Sequence, residues 1–517
     1  MRAIAGVGLL IFLGFAVAPL AGQEIRITEF QVEGNPPDGE MKITLNTQSK
    51  GIELGSFCIR LADYTAPAPP PGFVRQSNGY EYLQDAAGGL PLPNLADNGP
   101  LDEDPRSGGF AITISTTTWP PGKYLLMVAA HNRPAGGPYV QDSRPVAFRI
   151  GGDGEPAEAV GNVPGAKHRV VYEKPGVYAC FPSLTIRPDG RLTTSFGTRT
   201  RRSHIDNSGG SLTLDSGDRG LTWTAGEHPV VDRRWQTRDG LLATAAARGW
   251  IQTDAKQREE LESQGKTVLP VRDGVIAYLG GASWRVSRDG GKSWESHVID
   301  VPEYVSGLMG FHHAASELAA ADGLRLVAVY GARIADVLAG RTSRDEVFLL
   351  RSADDGQTWQ CLPMLPEGLG DSKVGFNETA LVEAGDGRIL ALMRTAPETS
   401  LYQSFSSDRG LTWTKPADSG ISGHPAHLLL LKDGRLLATY GYRKRPMGIR
   451  ACFSGDHGRT WQTDREWILR NDGFGSPGDL GYPLTHALDD GRLMTIYYLT
   501  TDGMNTHIAT THWEPPK

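Results

Sequence analysis

The sequence predicts an all-β protein, and three features predict it. An octapeptide ending in tryptophan occurs five times, at intervals of roughly 50–70 residues, the period of a propeller blade with insertions. Asp-Gly-Arg turns stand between apolar runs at Asp189, Asp386, Asp433 and Asp490, as hairpins require. Glycine reaches 64 and proline 34 of 517 residues, a usage that suits turns and strands and not a helical bundle. Together these predict a six-bladed β-propeller preceded by a small immunoglobulin-like β-sandwich.

In chain order, residues 1–22 have one early cation, Arg2, an apolar run and small residues at Ala16, Ala18, Ala21 and Gly22, the layout of a cleaved export signal. The run, roughly 18 residues, is near the lower limit for a span, and the glycines in it weaken a helix. Secreted or periplasmic location and a mature chain without a membrane span are therefore expected.

Residues 23–152 read as short strands. In Glu24–Glu33, Ile25, Ile27 and Phe30 are expected on one face and Arg26 and Thr28 on the other. Trp119-Pro-Pro-Gly-Lys-Tyr124 leads into an apolar strand, as at a late turn of an immunoglobulin-like sandwich. Residues 153–167 have almost no large apolar side chain and read as a linker.

From 168 to 517 the octapeptide governs the reading: Ser216–Trp223, Ser287–Trp294, Ser352–Trp359, Ser406–Trp413 and Ser454–Trp461. Its aspartate can accept from turn amides, its glycine supplies a positive φ, and its tryptophan plugs between strands, so these aspartates are assigned to structure. Gln257–Gly265 is the one convincing helix, charged all round and expected to be an exposed insertion.

The 52 basic and 59 acidic residues leave a net charge of −7, without the broad basic surface of a nucleic-acid binder. Cys58, Cys180, Cys361 and Cys452 are far apart, with no metal or redox spacing, and disulfide and free-thiol readings both stay open. No cofactor is expected, and sequence does not set the oligomeric state.

The octapeptides resemble the Asp-boxes of the sialidase (neuraminidase) superfamily, also known as BNR repeats. The resemblance extends from about Val170 to the C-terminus. Tyr178-Ala-Cys180-Phe-Pro182, Arg199 and Asp206 precede the first box, Phe376-Asn-Glu378 precedes a strand ending in Arg394, and Asp479-Leu-Gly-Tyr482-Pro follows the last box. The resemblance implies an exo-glycosidase that retains anomeric configuration and releases terminal acidic sugars from glycans. Tyr482 would be the nucleophile, Glu378 its base and Asp206 the acid/base. A neutral phenol avoids repulsion from the sugar's carboxylate, and an adjacent base must take its proton. Arg394 would clamp that carboxylate, with Arg443, Arg445 or Arg450 as a further arginine.

One departure stands out: Cys180 occupies the position of the family's first clamp arginine. Arg199, Arg201 and Arg202 are the nearby cations able to replace it. Two alternatives follow, a propeller glycosidase for a non-sialic sugar and a glycan-binding protein without turnover. His312, His313, His424 and His427 are polar candidates from other strands, more in keeping with structural roles.

Overall fold

The structure, a computed structural model, describes residues 24–34, 36, 39–50, 54–75, 81–83, 107–132, 141–150, 160–187, 189–199, 209–226, 235–237, 241–264, 266, 268–272, 274–289, 293–299, 301, 305–310, 316–333, 345–365, 374–396, 400–475 and 480–516. The apolar run expected to direct export, Asp206, His312 and His313 lie outside the described residues. Among the described residues no helix is long and apolar enough to cross a membrane.

The N-terminal part is two antiparallel sheets face to face. Glu24–Glu33, Glu40–Lys50 and Ser107–Ser115 form one; Phe73–Arg75, Glu81–Leu83, Leu54–Tyr64, Gly122–Asn132 and Gln141–Ile150 form the other. Ile25, Ile27, Met41, Ile43 and Leu45 meet Ile59, Leu61, Leu126 and Val128 in a shared core. Side chains alternate along a strand, so Phe30 should face away from Ile25 and Ile27. It packs on the same core because the register slips at Thr28, between Ile27↔Thr47 and Glu29↔Asn46. Trp119 packs edge-on against Tyr124 at 5.0 Å, and the Tyr124 hydroxyl donates to the Pro120 carbonyl at 2.5 Å.

Among the described residues the remainder forms six successive antiparallel sheets. The first runs through Tyr178–Cys180, Leu192–Arg199, Gly210–Ser216 and Thr224–Ala225. The second is built on the long hairpin Leu242–Asp254 and Val275–Ser287. The third holds Val305–Gly310, Arg325–Arg333, Glu346–Ser352 and Gln360–Pro363, and the fourth Gly375–Glu383, Ile389–Ala396, Ser400–Ser406 and Ala417–Ser422. The fifth holds His424–Leu430, Leu436–Tyr442, Met447–Ser454 and Trp467–Gly473. In the sixth, Gly481–Ala487, Leu493–Leu499 and His507–Trp513 are joined by Lys167–Tyr172, so the strand after the linker completes the last sheet.

The Asp-Gly-Arg turns are type I turns closed by glycine, not two-residue type I′ turns. In the fourth sheet Gly387 N donates to the Ala384 carbonyl at 2.9 Å, Ala384 N to the Arg388 carbonyl at 2.8 Å, and only Gly387, not Asp386, has positive φ. The octapeptides join the third and fourth strands of their sheets. In the fourth sheet, Asp408 Oδ1 accepts from Ser406 Oγ at 2.8 Å and from Thr412 N at 2.9 Å, while buried Gly410 N donates to Ser406 Oγ at 2.8 Å. The glycine also permits close approach to the preceding sheet: a Cβ on Gly356 would lie 2.4 Å from the Trp284 ring. Gly220, in the first sheet, packs in the same way on Met494 of the sixth, and His512 Nε2 of the sixth donates to the Arg219 carbonyl at 2.9 Å. The first and last sheets are therefore neighbours.

Ser406→Ala leaves the buried Gly410 N–H without its acceptor, and is expected to lower stability by about 1–3 kcal/mol in a urea titration. Burial opposes ionisation of Asp408, but the Thr412 and Ser406 hydrogen bonds outweigh it and hold the carboxyl at about 2. A depressed carboxyl stabilises the fold above its unfolded value of 3.8, and that contribution is lost as pH falls toward 2.

The expected helix is shorter than Gln257–Gly265. A 3-10 turn, Ala255–Gln257, capped by Asp254, leads into Arg258–Ser263. Leu261 is buried, so one face anchors the insertion.

Candidate active site

The site lies where the first strand of a sheet begins and its second strand ends. At that end the regular ladders break in the last three sheets. In the fourth, Phe376 pairs with Thr395 and Thr379 with Met393, which leaves Asn377 and Glu378 together opposite Arg394. In the fifth, Pro425 is extra between the pairs His424↔Gly441 and Ala426↔Tyr440. In the sixth, Tyr482 and Pro483 stand opposite Tyr497. Bulges bend a strand and re-aim its side chains, and here they aim them at one point.

Tyr482 has φ 51°, a left-handed conformation that a bulky side chain adopts only when its surroundings enforce it. Gly481 before it lies against Gly441, where a Cβ would come within 2.9 Å of the Gly481 Cα. The fifth and sixth sheets therefore touch beside the tyrosine. Its hydroxyl donates a short hydrogen bond to Glu378 Oε1, across 104 residues of sequence. Arg394 Nη1 donates to the other oxygen, Oε2, at 2.5 Å.

The electrostatics assign the proton. Burial alone would raise the Glu378 carboxyl, but the Arg394 charge and the hydrogen bonds from Tyr482 and Arg394 outweigh it and hold it below its usual range. Burial, then the Glu378 charge, push the Tyr482 phenol well above its usual value, only partly offset by Arg394 and Arg443. The resting pair is a carboxylate and a neutral phenol. Proton transfer to Glu378 must accompany any attack by Tyr482, because a preformed phenolate would stand beside an anion.

Other sheets supply the walls. The Phe181 ring, itself at φ 56°, meets the Tyr482 ring edge-on at 4.7 Å. Arg443 has its guanidinium carbon 6.0 Å from the Tyr482 ring centre, and its Nε donates to the Leu480 carbonyl at 3.2 Å. The His424 imidazole is held down to about 3 by burial and by Arg443 and Arg394, so it is neutral. Arg199 Nε lies 3.5 Å from the fully buried Cys180 Sγ, one residue before Phe181. Tyr330 and Asp345, from the third sheet, lie within electrostatic range of Glu378 and Arg394.

Of the residues singled out by sequence, Tyr482, Glu378, Arg394 and Arg443 come together, and Arg199 stands beside Cys180. The two remaining candidate arginines have carboxylate partners elsewhere. Arg445 leaves the site and pairs with buried Asp63 of the N-terminal sandwich, whose other oxygen accepts from Gly475 N at 2.7 Å. Arg450 pairs with Glu466, which also accepts from the Tyr440 hydroxyl at 2.5 Å, and its guanidinium lies 3.3 Å from the Tyr442 ring centre. Both guanidinium groups have structural carboxylate partners. His427 is half-buried, held down to about 4 by desolvation, and its Nδ1 accepts from Thr485 N at 3.3 Å. The four cysteines are free thiols.

Tyr330 and Asp345 carried no motif of their own, whereas Phe181 and Asn377 lie inside the segments Tyr178–Pro182 and Phe376–Glu378 without having been given a role. Arg445→Ala is expected to lower the melting temperature, since it leaves the buried Asp63 carboxylate without its cation. It should leave KM for any substrate within about twofold, a change worth under half a kcal/mol. A tenfold rise in KM would return Arg445 to the binding set.

By sequence, residues 273–496 match the BNR repeat-like domain family. By fold, the chain is similar to a protein of unknown function from Dyadobacter fermentans, at 27% identity over 68% of this chain and 100% of that one, with a TM-score of 0.53. It is more distantly similar to an alpha-L-arabinanase from Penicillium chrysogenum, with 13% identity, 68% and 99% coverage and a TM-score of 0.43. The NanB sialidase of Streptococcus pneumoniae gives 12% identity, 95% and 98% coverage and a TM-score of 0.42.

Proposed function

We propose that the chain is a member of the sialidase/BNR-repeat superfamily, whose BNR repeat-like domain matches residues 273–496, and that it is an exported glycoside hydrolase that retains anomeric configuration and uses Tyr482 as nucleophile. The single observation that carries the reading is the hydrogen bond from the Tyr482 hydroxyl to Glu378, two buried residues brought together from the sixth and fourth sheets. Six sheets, with the first packed on the last, act as the blades of a propeller and carry the site at one end.

In the first step the phenol oxygen attacks the anomeric carbon, its proton passes to Glu378, and the leaving oxygen takes a proton from Asp206. In the second, Asp206 takes a proton from water, water displaces the tyrosine oxygen, and Glu378 returns its proton to it. Arg394 serves twice. It keeps Glu378 ionised between turnovers, and its guanidinium also presents a donor to an anionic group of the substrate. Arg443 adds a second positive charge, its guanidinium carbon 6.0 Å from the Tyr482 ring centre. The substrate class is a glycan ending in an acidic sugar, of which sialic acid is the first to test.

One observation favours a second substrate. Cys180 is wholly buried and uncharged, and Arg199 beside it extends from the second strand rather than the first. A pocket with fewer cations aimed at one point suits a sugar that lacks the carboxylate. Fluorogenic sialosides and a panel of other aryl glycosides separate the two. Sialoside turnover supports the acidic sugar. Turnover of another glycoside alone removes sialic acid from the account, and tight glycan binding without turnover on any of them contradicts hydrolysis.

A further inference from the structure

Asp345 carries a carboxyl that this chemistry does not use. It immediately precedes the strand Glu346–Ser352 of the third sheet and is tied twice to the fourth. Its backbone carbonyl accepts from Phe376 N at 2.8 Å, and its Oδ2 accepts from Asn377 Nδ2 at 3.3 Å. Both ties fall at the bulge that presents Glu378. Around the same point, Asn377 Oδ1, Arg394 Nε and His424 Nδ1 are buried without a hydrogen-bond partner among the described residues. Buried polar atoms are nearly always paired. Three unpaired ones, contributed by two sheets beside Glu378, mark where the polar groups of a ligand belong.

We infer that Asp345 is a second substrate-facing carboxyl of this site, oriented by Asn377, and that it determines specificity by donating a hydrogen bond to an oxygen of the bound sugar. The inference rests on the glycosidase reading and deepens it.

The donor role follows from the neighbours. Two carboxyl groups in one buried pocket do not both ionise readily. Glu378 has the contact with Arg394 and the Tyr482 hydroxyl, so the negative charge settles there. Burial raises the Asp345 carboxyl above 3.8 and the Glu378 charge raises it further, while the Asn377 hydrogen bond and the Arg394 charge only partly oppose them. Tyr330 beside it is a neutral phenol, pushed up by burial and by Glu378, Tyr482 and Asp345, and His424 is neutral as well. With the charges of Glu378 and Arg394 balanced and Arg443 beyond them, an acidic sugar is received best at Asp345 by the protonated carboxyl, the form that burial and the Glu378 charge favour. Once ionised, Asp345 loses its donor and repels that sugar. A pair of carboxyls whose environments drive their ionisation apart divides the roles of acceptor and donor.

The test measures kcat and KM against pH for the full chain, Asp345→Asn and Asp345→Ala, on the aryl glycoside turned over best. Calorimetry with N-acetylneuraminate gives binding independently of turnover. Wild-type KM should rise with pH as Asp345 ionises. Asp345→Asn keeps the shape and a donor but cannot ionise, so its KM should be flat with pH and its kcat within about threefold. Asp345→Ala should raise KM about tenfold, equivalent to about 1.4 kcal/mol, and weaken calorimetric binding equally. A merely structural role would lower the melting temperature without flattening the pH profile. Asp345→Asn with the wild-type pH dependence, or Asp345→Ala with unchanged KM, would overturn the inference and leave the hydrolase reading standing. Binding weakened tenfold without turnover by any form would uphold the inference and remove hydrolysis. Neither turnover nor binding by the wild type would remove both.

Discussion

Tyr482→Phe is expected to abolish turnover, with a loss on the order of 10³-fold or more in kcat, while the protein stays folded and binds its sugar. The change deletes one oxygen, the atom that would bond to the anomeric carbon, and leaves the ring against Phe181 and Tyr498. Nucleophile deletions remove most of the rate that the covalent route supplies. Glu378 also loses a hydrogen bond and keeps only Arg394, so a stability cost of about 1–3 kcal/mol accompanies the loss. Single-turnover kinetics together with a thermal melt separate the two effects. Activity within tenfold of wild type would exclude Tyr482 as nucleophile.

Glu378→Gln is expected to have the second largest effect, a fall in kcat of about 10²–10⁴-fold, the range of general-base catalysis. The amide cannot accept the phenol's proton. It also leaves Arg394 with a neutral neighbour, which frees the guanidinium for an anionic sugar. KM for an acidic substrate should therefore stay constant or fall while kcat collapses. The acid limb of wild-type kcat/KM should reflect the Glu378 carboxyl, lost as pH drops into and below the usual carboxylate range, because the base must be ionised and Arg394 favours ionisation. The limb should be missing from the residual activity of Glu378→Gln. If the variant keeps both kcat and the limb, another group is the base.

Local chemistry made some of this legible in sequence and long-range packing hid the rest. The octapeptides announce themselves because one serine, aspartate and glycine complete a turn by themselves, as Ser406, Asp408 and Gly410 do. Glu378 and Arg394 sit on adjacent strands of one hairpin, so their pairing was within reach of a sequence reading. The bulges were not. Alternation puts Asn377 and Glu378 on opposite faces, and only the register slip sets both against Arg394. Arg443 and Arg445 are two residues apart, yet one reaches the Tyr482 ring and the other pairs with Asp63. No local pattern encodes a partner almost four hundred positions away. Asp345 sat outside any motif because its neighbours come from the next sheet.

The account turns on a covalent bond to one phenol oxygen, and trapping that bond tests it most directly. A fluorinated glycosyl fluoride of the sugar that the panel selects should form a slow adduct, located by peptide mass spectrometry. The account predicts one added glycosyl mass on the peptide containing Tyr482 in the wild type and none in Tyr482→Phe. An adduct on Glu378, or rapid turnover with inverted product and no adduct, would contradict it.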